Sequence, residues 1–389
     1  MKFDFDRVID RRGSGCFKYD ALQMLYGRDD LISLWVADMD FAIAPAIREA
    51  LQKRLDHAVF GYNLRLPVFY EVVGNWVHQR YGFQIEASWI VHSPGIMPAV
   101  NLAVLQFTQP GDGVLIQTPV YRPFHDAVKA HGRVLITNPL LCRNGYYSID
   151  FDDLEQKLRL AKLFILCNPH NPVGRLWSND DLLRLGSLCR KYKVPVVSDE
   201  IHADIVYDGH RATSIAALED FADNAIVCVS PAKSFNLAGL SSAVIIVKNP
   251  ALRQPLAKMI ESLHLYLGNS FGIEAIIAAY RDADDWLAEL LIYLQDNRDY
   301  LVDFLKRELP LLKLATPEST YLAWIDFRAL GMGEDALLGW LVEKARLALD
   351  PGTKFGVEGS GHMRLNFGCP RQLLTEALES LKEAVRKEF

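Results

Sequence analysis

Five short apolar runs limit what this chain can fold into. Val114 to Gln117, Leu163 to Cys167, Val194 to Ser198, Ala225 to Val229 and Ala243 to Val247 each have the length of a buried strand. The stretches between them are mostly long enough for a helix. Strands separated by helix-sized segments predict an α/β fold with a mostly parallel sheet and helices on both faces. Such sheets bind ligands at the carboxyl ends of their strands. Here those ends carry polar residues: Asn168-Pro-His-Asn171 follows the second run, Asp199-Glu the third and Ser230-Pro-Ala-Lys233 the fourth.

With 389 residues, 50% of them hydrophobic, the chain can fill a large core and is long enough for two domains. Residues 1–45 read as an irregular arm. Residues 46–283 read as the large domain, with helices over Ala46 to Val59 and Pro98 to Phe107. Residues 284–389 read as a smaller α+β domain. Its signals are a long helical stretch from Asp284 to Glu308 and strand-like runs at Tyr321 to Phe327 and Met363 to Phe367.

A net charge of −6 without long runs argues against nucleic acid or an anionic membrane as the main partner. The six cysteines form no C-x-x-C pair, so reduced thiols are expected rather than disulfides, and no metal site. The first residues lack an apolar signal region, and no stretch is long enough to cross a bilayer. These features predict a cytoplasmic protein.

Lys233 is the focal residue. A lysine desolvated at a strand end loses preference for its charge and can form a Schiff base with an aldehyde. Ser230, on the same turn, can bond a phosphate. An aldehyde and a phosphate in one ligand suggest pyridoxal 5'-phosphate (PLP). Asp199 supplies the buried carboxylate that favours a protonated pyridine, and the amide of Asn171 can donate to a phenolic oxygen. Taken singly, Lys233 reads as a surface lysine, Asp199 as a helix N-cap and Asn171 as a turn residue. Their shared placement at strand ends favours a cofactor site.

Together these segments resemble fold-type I PLP enzymes of aminotransferase class I/II, and within them the MalY/PatB branch of cystathionine β-lyases and cysteine C–S lyases. The resemblance spans nearly the whole chain. It is carried by Trp35-Val-Ala-Asp-Met-Asp-Phe41, Phe60-Gly-Tyr62, Ser93-Pro-Gly-Ile-Met97, Thr118-Pro-Val-Tyr121, the Asn-Pro-His-Asn-Pro loop, Asp199-Glu-Ile-His202-Ala-Asp204, Lys233-Ser-Phe-Asn236, Ser319-Thr-Tyr-Leu-Ala-Trp324 and Arg364-Leu-Asn-Phe-Gly-Cys-Pro370. It implies a seven-stranded type of sheet in the large domain and an arm that joins the small domain.

Backbone N–H groups at a helix start bind anions. The resemblance assigns Gly95, Ile96 and Met97, with Ser230, to the phosphate. Many fold-type I aminotransferases add an arginine eight residues after the lysine, where this chain has Ser241. Tyr121 can stack on a pyridine ring or reach a leaving group, and serves equally as a core tyrosine. Arg364 lies between apolar Met363 and Leu365, and a planar guanidinium there can hold an α-carboxylate bidentately; the alternative is an edge-strand ion pair. By resemblance, Val36 and Ala37 make backbone contacts to substrate. The resemblance also implies that Tyr62 comes from the neighbouring subunit and reaches the phosphate or substrate, in a homodimer with shared active sites. The role of His202 is open between packing and chemistry.

The expected reaction is α,β-elimination from L-cystathionine, L-cysteine or a related S-substituted cysteine, giving a thiol, pyruvate and ammonia. Lys233 would act as the base. Two alternatives stay open: an aminotransferase of neutral or aromatic amino acids, and a regulatory protein acting through protein contacts.

Overall fold

The computed structural model of the protein describes residues 1–389, apart from the side chain of Asp220. Among the described residues, seven strands build the main sheet: β1 (Ile90–Ser93), β2 (Gly113–Thr118), β3 (Val134–Pro139), β4 (Ala161–Cys167), β5 (Val196–Asp199), β6 (Ala225–Val229) and β7 (Ala243–Ile246). Their spatial order is β1-β7-β6-β5-β4-β2-β3. Neighbours from β6 to β3 run parallel, whereas β7 is antiparallel to both β1 and β6.

Every residue of β2, β5, β6 and β7 is buried, which is why these strands read as unbroken apolar runs. Alternate residues serve two cores. Val114, Ile116, Ile165 and Val197 face the one shared with helix Ile96–Phe107. Leu115, Phe164, Leu166 and Val196 face the other. Burial on both faces hides the period-2 signal, so the reversed direction of β7 is not visible in its residues. The sequence reading also passed over β1 and β3. Both are partly exposed edge strands with interleaved polar residues.

The helix expected from Ala46 runs over Pro45–Asp56. It stops early because Ala58 adopts φ +58°, outside the helical region. The helix Asp284–Glu308 matches expectation. A second sheet follows, with β8 (Leu322–Asp326), β9 (Asp350–Pro351) and β10 (His362–Asn366) in the antiparallel order β8-β10-β9. In the N-terminal stretch, Ile32–Ser33 pairs in parallel with Leu347–Ala348. No helix among the described residues is long and apolar enough to cross a membrane.

Candidate active site

The ends of β4, β5 and β6 open into a cavity of about 310 Å³. Lys233, Asp199, Asn171, Tyr121 and His202 line it. So do Gly95, Ile96, Met97, Ser230 and Ala37. Asp199 closes β5 in register with Cys167 and Cys228, which brings the three strand ends level. Gly95 caps the helix Ile96–Phe107, whose first N–H groups meet the cavity. The Asn168–Pro169 and Asn171–Pro172 peptides are cis and shape the loop that presents Asn171.

Lys233 Nζ donates to the Ala37 carbonyl at 2.5 Å. Burial pulls its ammonium down from 10.5 to about 8; Asp38 pulls it upward, Arg364 lowers it further, and Asp199 again raises it. Burial pushes the Asp199 carboxyl the other way, to about 6, against the Ile201 N–H at 3.1 Å and the charge of Lys233. An amine and a carboxylate shifted toward neutrality in one cleft mark a chemically poised site. Burial, with Lys233 and Arg364 nearby, holds His202 well below its usual range, so its ring is neutral. Burial raises Tyr121, partly offset by Arg364.

Arg364 stands behind Asn171. Its Nη1 donates to Asn171 Oδ1 at 3.1 Å, and its Nη2 donates to the Trp35 carbonyl at 2.9 Å and to Asp350 Oδ2 at 2.6 Å. Asp350 faces Arg364 in the β9–β10 register and also holds Lys354 Nζ at 3.0 Å. Ser230 Oγ donates to the Ser242 carbonyl at 2.8 Å and accepts from the Ala232 N–H at 3.1 Å. Ser242 Oγ, His202 Nδ1 and Arg364 Nε are buried without a hydrogen-bond partner among the described residues. An orphaned buried polar group costs about 1–3 kcal/mol. The first two line the cavity, so a polar ligand there would relieve them.

Three expected site residues stand outside the lining: Arg364, set behind Asn171, and also Tyr62 and Val36. Tyr62 is 96% exposed and does not reach the cavity of its own chain. Val36 lies outside the lining and gives its carbonyl to Asn366 Nδ2 at 2.6 Å. The sequence reading missed Asp350, Ser242 and Ser241 as members of the site. Asp350 was findable, because it ends the apolar run Leu347-Ala-Leu349 as Asp199 ends its own. Asp204, quoted only as part of a motif, is a buried anchor. It accepts from Tyr81 Oη and Ser234 Oγ at 2.7 Å and from Trp76 Nε1 at 3.2 Å, tying the lysine turn to the helix Pro67–Tyr81.

The family profile of aminotransferase class I and II matches residues 29–381. The chain belongs to this family. It is 43% identical over 385 residues to cystathionine beta-lyase PatB of Bacillus subtilis, covering 98% of this chain and 100% of that one. It is 35% identical over 390 residues to protein MalY of Escherichia coli, with 99% of each chain covered. Among solved structures, cystalysin from Treponema denticola superposes with a TM-score of 0.96 at 36% identity, over 100% of both chains. The cystalysin structure contains a PLP cofactor.

Proposed function

We propose that this protein is a PLP-dependent carbon–sulfur β-lyase. The observation that carries the reading is the half-buried Lys233 amine and the buried Asp199 carboxylate, oppositely shifted, in one cavity at level strand ends. The resident groups fit the cofactor. Lys233 would hold its aldehyde carbon, Asp199 its pyridine nitrogen, Asn171 its phenolic oxygen and Tyr121 its ring face. Gly95, Ile96 and Met97 would receive the phosphate through the helix start, with Ser230 and the unpartnered Ser242 hydroxyl. Ser242 and Ser241 line the cavity beside Ser230, so neutral donors stand where related enzymes place an arginine.

PLP, when bound, draws electron density from the substrate's Cα and so makes its proton removable. The chain's own residues do the rest. Arg364 holds the α-carboxylate, with Nε still free and Asp350 and Trp35 fixing the guanidinium plane. Ala37 and Asn171 complete the substrate's surroundings. The Lys233 amine, which burial shifts toward its neutral form, takes the Cα proton. The Cβ–S bond breaks, and the departing sulfur takes a proton to leave as a thiol. Tyr121, held protonated by burial, is the acid at hand. For cystathionine, substrate plus water gives homocysteine, pyruvate and ammonia.

Segment 57–66 has neither helix nor strand and leaves Val59, Phe60, Tyr62, Leu64 and Leu66 exposed. So many exposed apolar side chains in one short segment support burial against a second copy. The reading is a homodimer in which each Tyr62 serves the partner's site. It also takes residues 1–45 as an arm on the small domain 284–389, and 46–283 as the cofactor-binding domain. All six cysteines are free thiols, which supports a reducing, cytoplasmic location.

The test is a product assay on the PLP-loaded protein with cystathionine, cysteine and alanine, and no keto acid. Pyruvate should appear together with homocysteine from cystathionine and with hydrogen sulfide from cysteine, and neither sulfur product from alanine. Amino transfer to an added keto acid, with no thiol or sulfide released, would make the protein an aminotransferase. Partner binding that persists in a lysine variant without turnover would favour a regulatory role.

A further inference from the structure

Residues 36–41 form neither helix nor strand, yet distant side chains fix their carbonyls one after another. Asn366 Nδ2 donates to the carbonyls of Val36 and Asp38, both at 2.6 Å. Tyr321 Oη donates to the Ala37 carbonyl at 2.9 Å. Asn236 Nδ2 donates to the Met39 and Phe41 carbonyls at 2.9 Å each, while its Oδ1 accepts from the Met39 N–H at 3.1 Å. Beneath the segment, fully buried Lys18 meets the Asp40 carboxylate at 2.6 Å. Arg11 bridges Asp38 and Asp40 at 2.7 Å each.

Asn236 sits three residues after Lys233 on the same turn, at φ +58°. The turn therefore touches the segment twice: Lys233 on Ala37, and Asn236 on Met39 and Phe41. Between these contacts one acceptor is placed with little freedom, the Ala37 carbonyl. A neutral amine that donates an N–H to a fixed carbonyl turns its lone pair away from that oxygen. Tyr321 takes up the carbonyl's second acceptor site and keeps it from swinging.

We propose that Asn236 is a positioning residue for proton transfer: it clamps segment 36–41 so that the Ala37 carbonyl orients the Lys233 amine toward the substrate's Cα proton. This rests on Lys233 being the base in the reaction above. Misplacing a reacting group by about an ångström costs on the order of 100-fold in rate, without a matching loss of binding.

The test uses Asn236→Asp, which keeps size and acceptor but removes the donor to Met39 and Phe41, and Tyr321→Phe, which frees the Ala37 carbonyl. In the cofactor-free chain, amide hydrogen exchange across 36–41 should speed up in Asn236→Asp. In the PLP-loaded protein, α-proton exchange of L-alanine in D2O, followed by NMR, should slow by roughly 10- to 100-fold in Asn236→Asp and by about 10-fold in Tyr321→Phe. KM should stay within about twofold. If Asn236→Asp does not fold, Tyr321→Phe decides alone. Variants that exchange the α-proton as fast as the wild type, or that lose rate only through KM, overturn the positioning role. A wild type that fails to exchange the proton overturns the reading of Lys233 as base, and the proposal with it.

Discussion

The two walls of the cavity are made in different ways. On one, Asn171, Asp199 and Lys233 follow three adjacent strands, and the parallel ladder sets their relative positions. The other is lined by Ala37, and behind it residues 36–41, Arg364 and Asp350 are held by side-chain bonds between residues far apart in the chain, such as Asn236 to Met39 and Arg364 to Trp35. The first wall inherits the rigidity of the sheet's buried central strands. The second depends on individual side chains, and one substitution can loosen it without unfolding the core. Chemistry assigned to the first wall should therefore fail abruptly, and binding assigned to the second should weaken by degrees.

The largest effect is expected for Lys233→Ala, with thiol release from cystathionine falling by about 10⁴-fold. A rate within tenfold of wild type would break the contrast at its strongest point. Next comes Asp199→Asn, with a loss of about 10³-fold in turnover.

Asp199 also makes a prediction about stability. Its folded carboxyl titrates at about 6 against 3.8 unfolded, so its favourable contribution is complete below pH 3.8 and is lost as pH rises through 6. Above that the buried anion costs about 3 kcal/mol. In urea titrations of the cofactor-free chain, the Asp199→Asn substitution should raise stability at pH 8 and make no difference at pH 3.

On the second wall, Arg364→Ala should lower kcat/KM about 100-fold, chiefly through KM, because it removes a charged hydrogen-bonded partner and leaves Asp350 with Lys354 alone. An unchanged KM would refute the carboxylate assignment. The smallest effect is expected for Lys354→Ala. Its 3.0 Å pair with Asp350 is partly exposed, and such pairs contribute at most about 1 kcal/mol. A twofold change in KM would fit. A change above tenfold would mean that the Lys354–Asp350 pair contributes to the site and not only to the surface.

The same contrast explains what the sequence disclosed. The first wall was legible because each residue ends an apolar run, and the run, its end and its polar cap are neighbours in the chain. Arg364 was legible through its own flanks, Met363 and Leu365. Asp350 offered a local signal in the apolar run it ends, but the bonds that hold 36–41 were not legible, because their partners lie far away in sequence. Nothing in the residues beside Lys18 marks it as internal, yet it is fully buried against Asp40. Edge strands Ile90–Ser93 and Val134–Pro139 escaped for a local reason, partial exposure that breaks the apolar pattern.

The most direct test of the central claim is to mix the cofactor-free protein with PLP, reduce with borohydride, digest and locate the added mass. The account predicts one modified peptide carrying the label on Lys233, and none in the Lys233→Ala variant. A label on a different lysine, or no label at all, would contradict it.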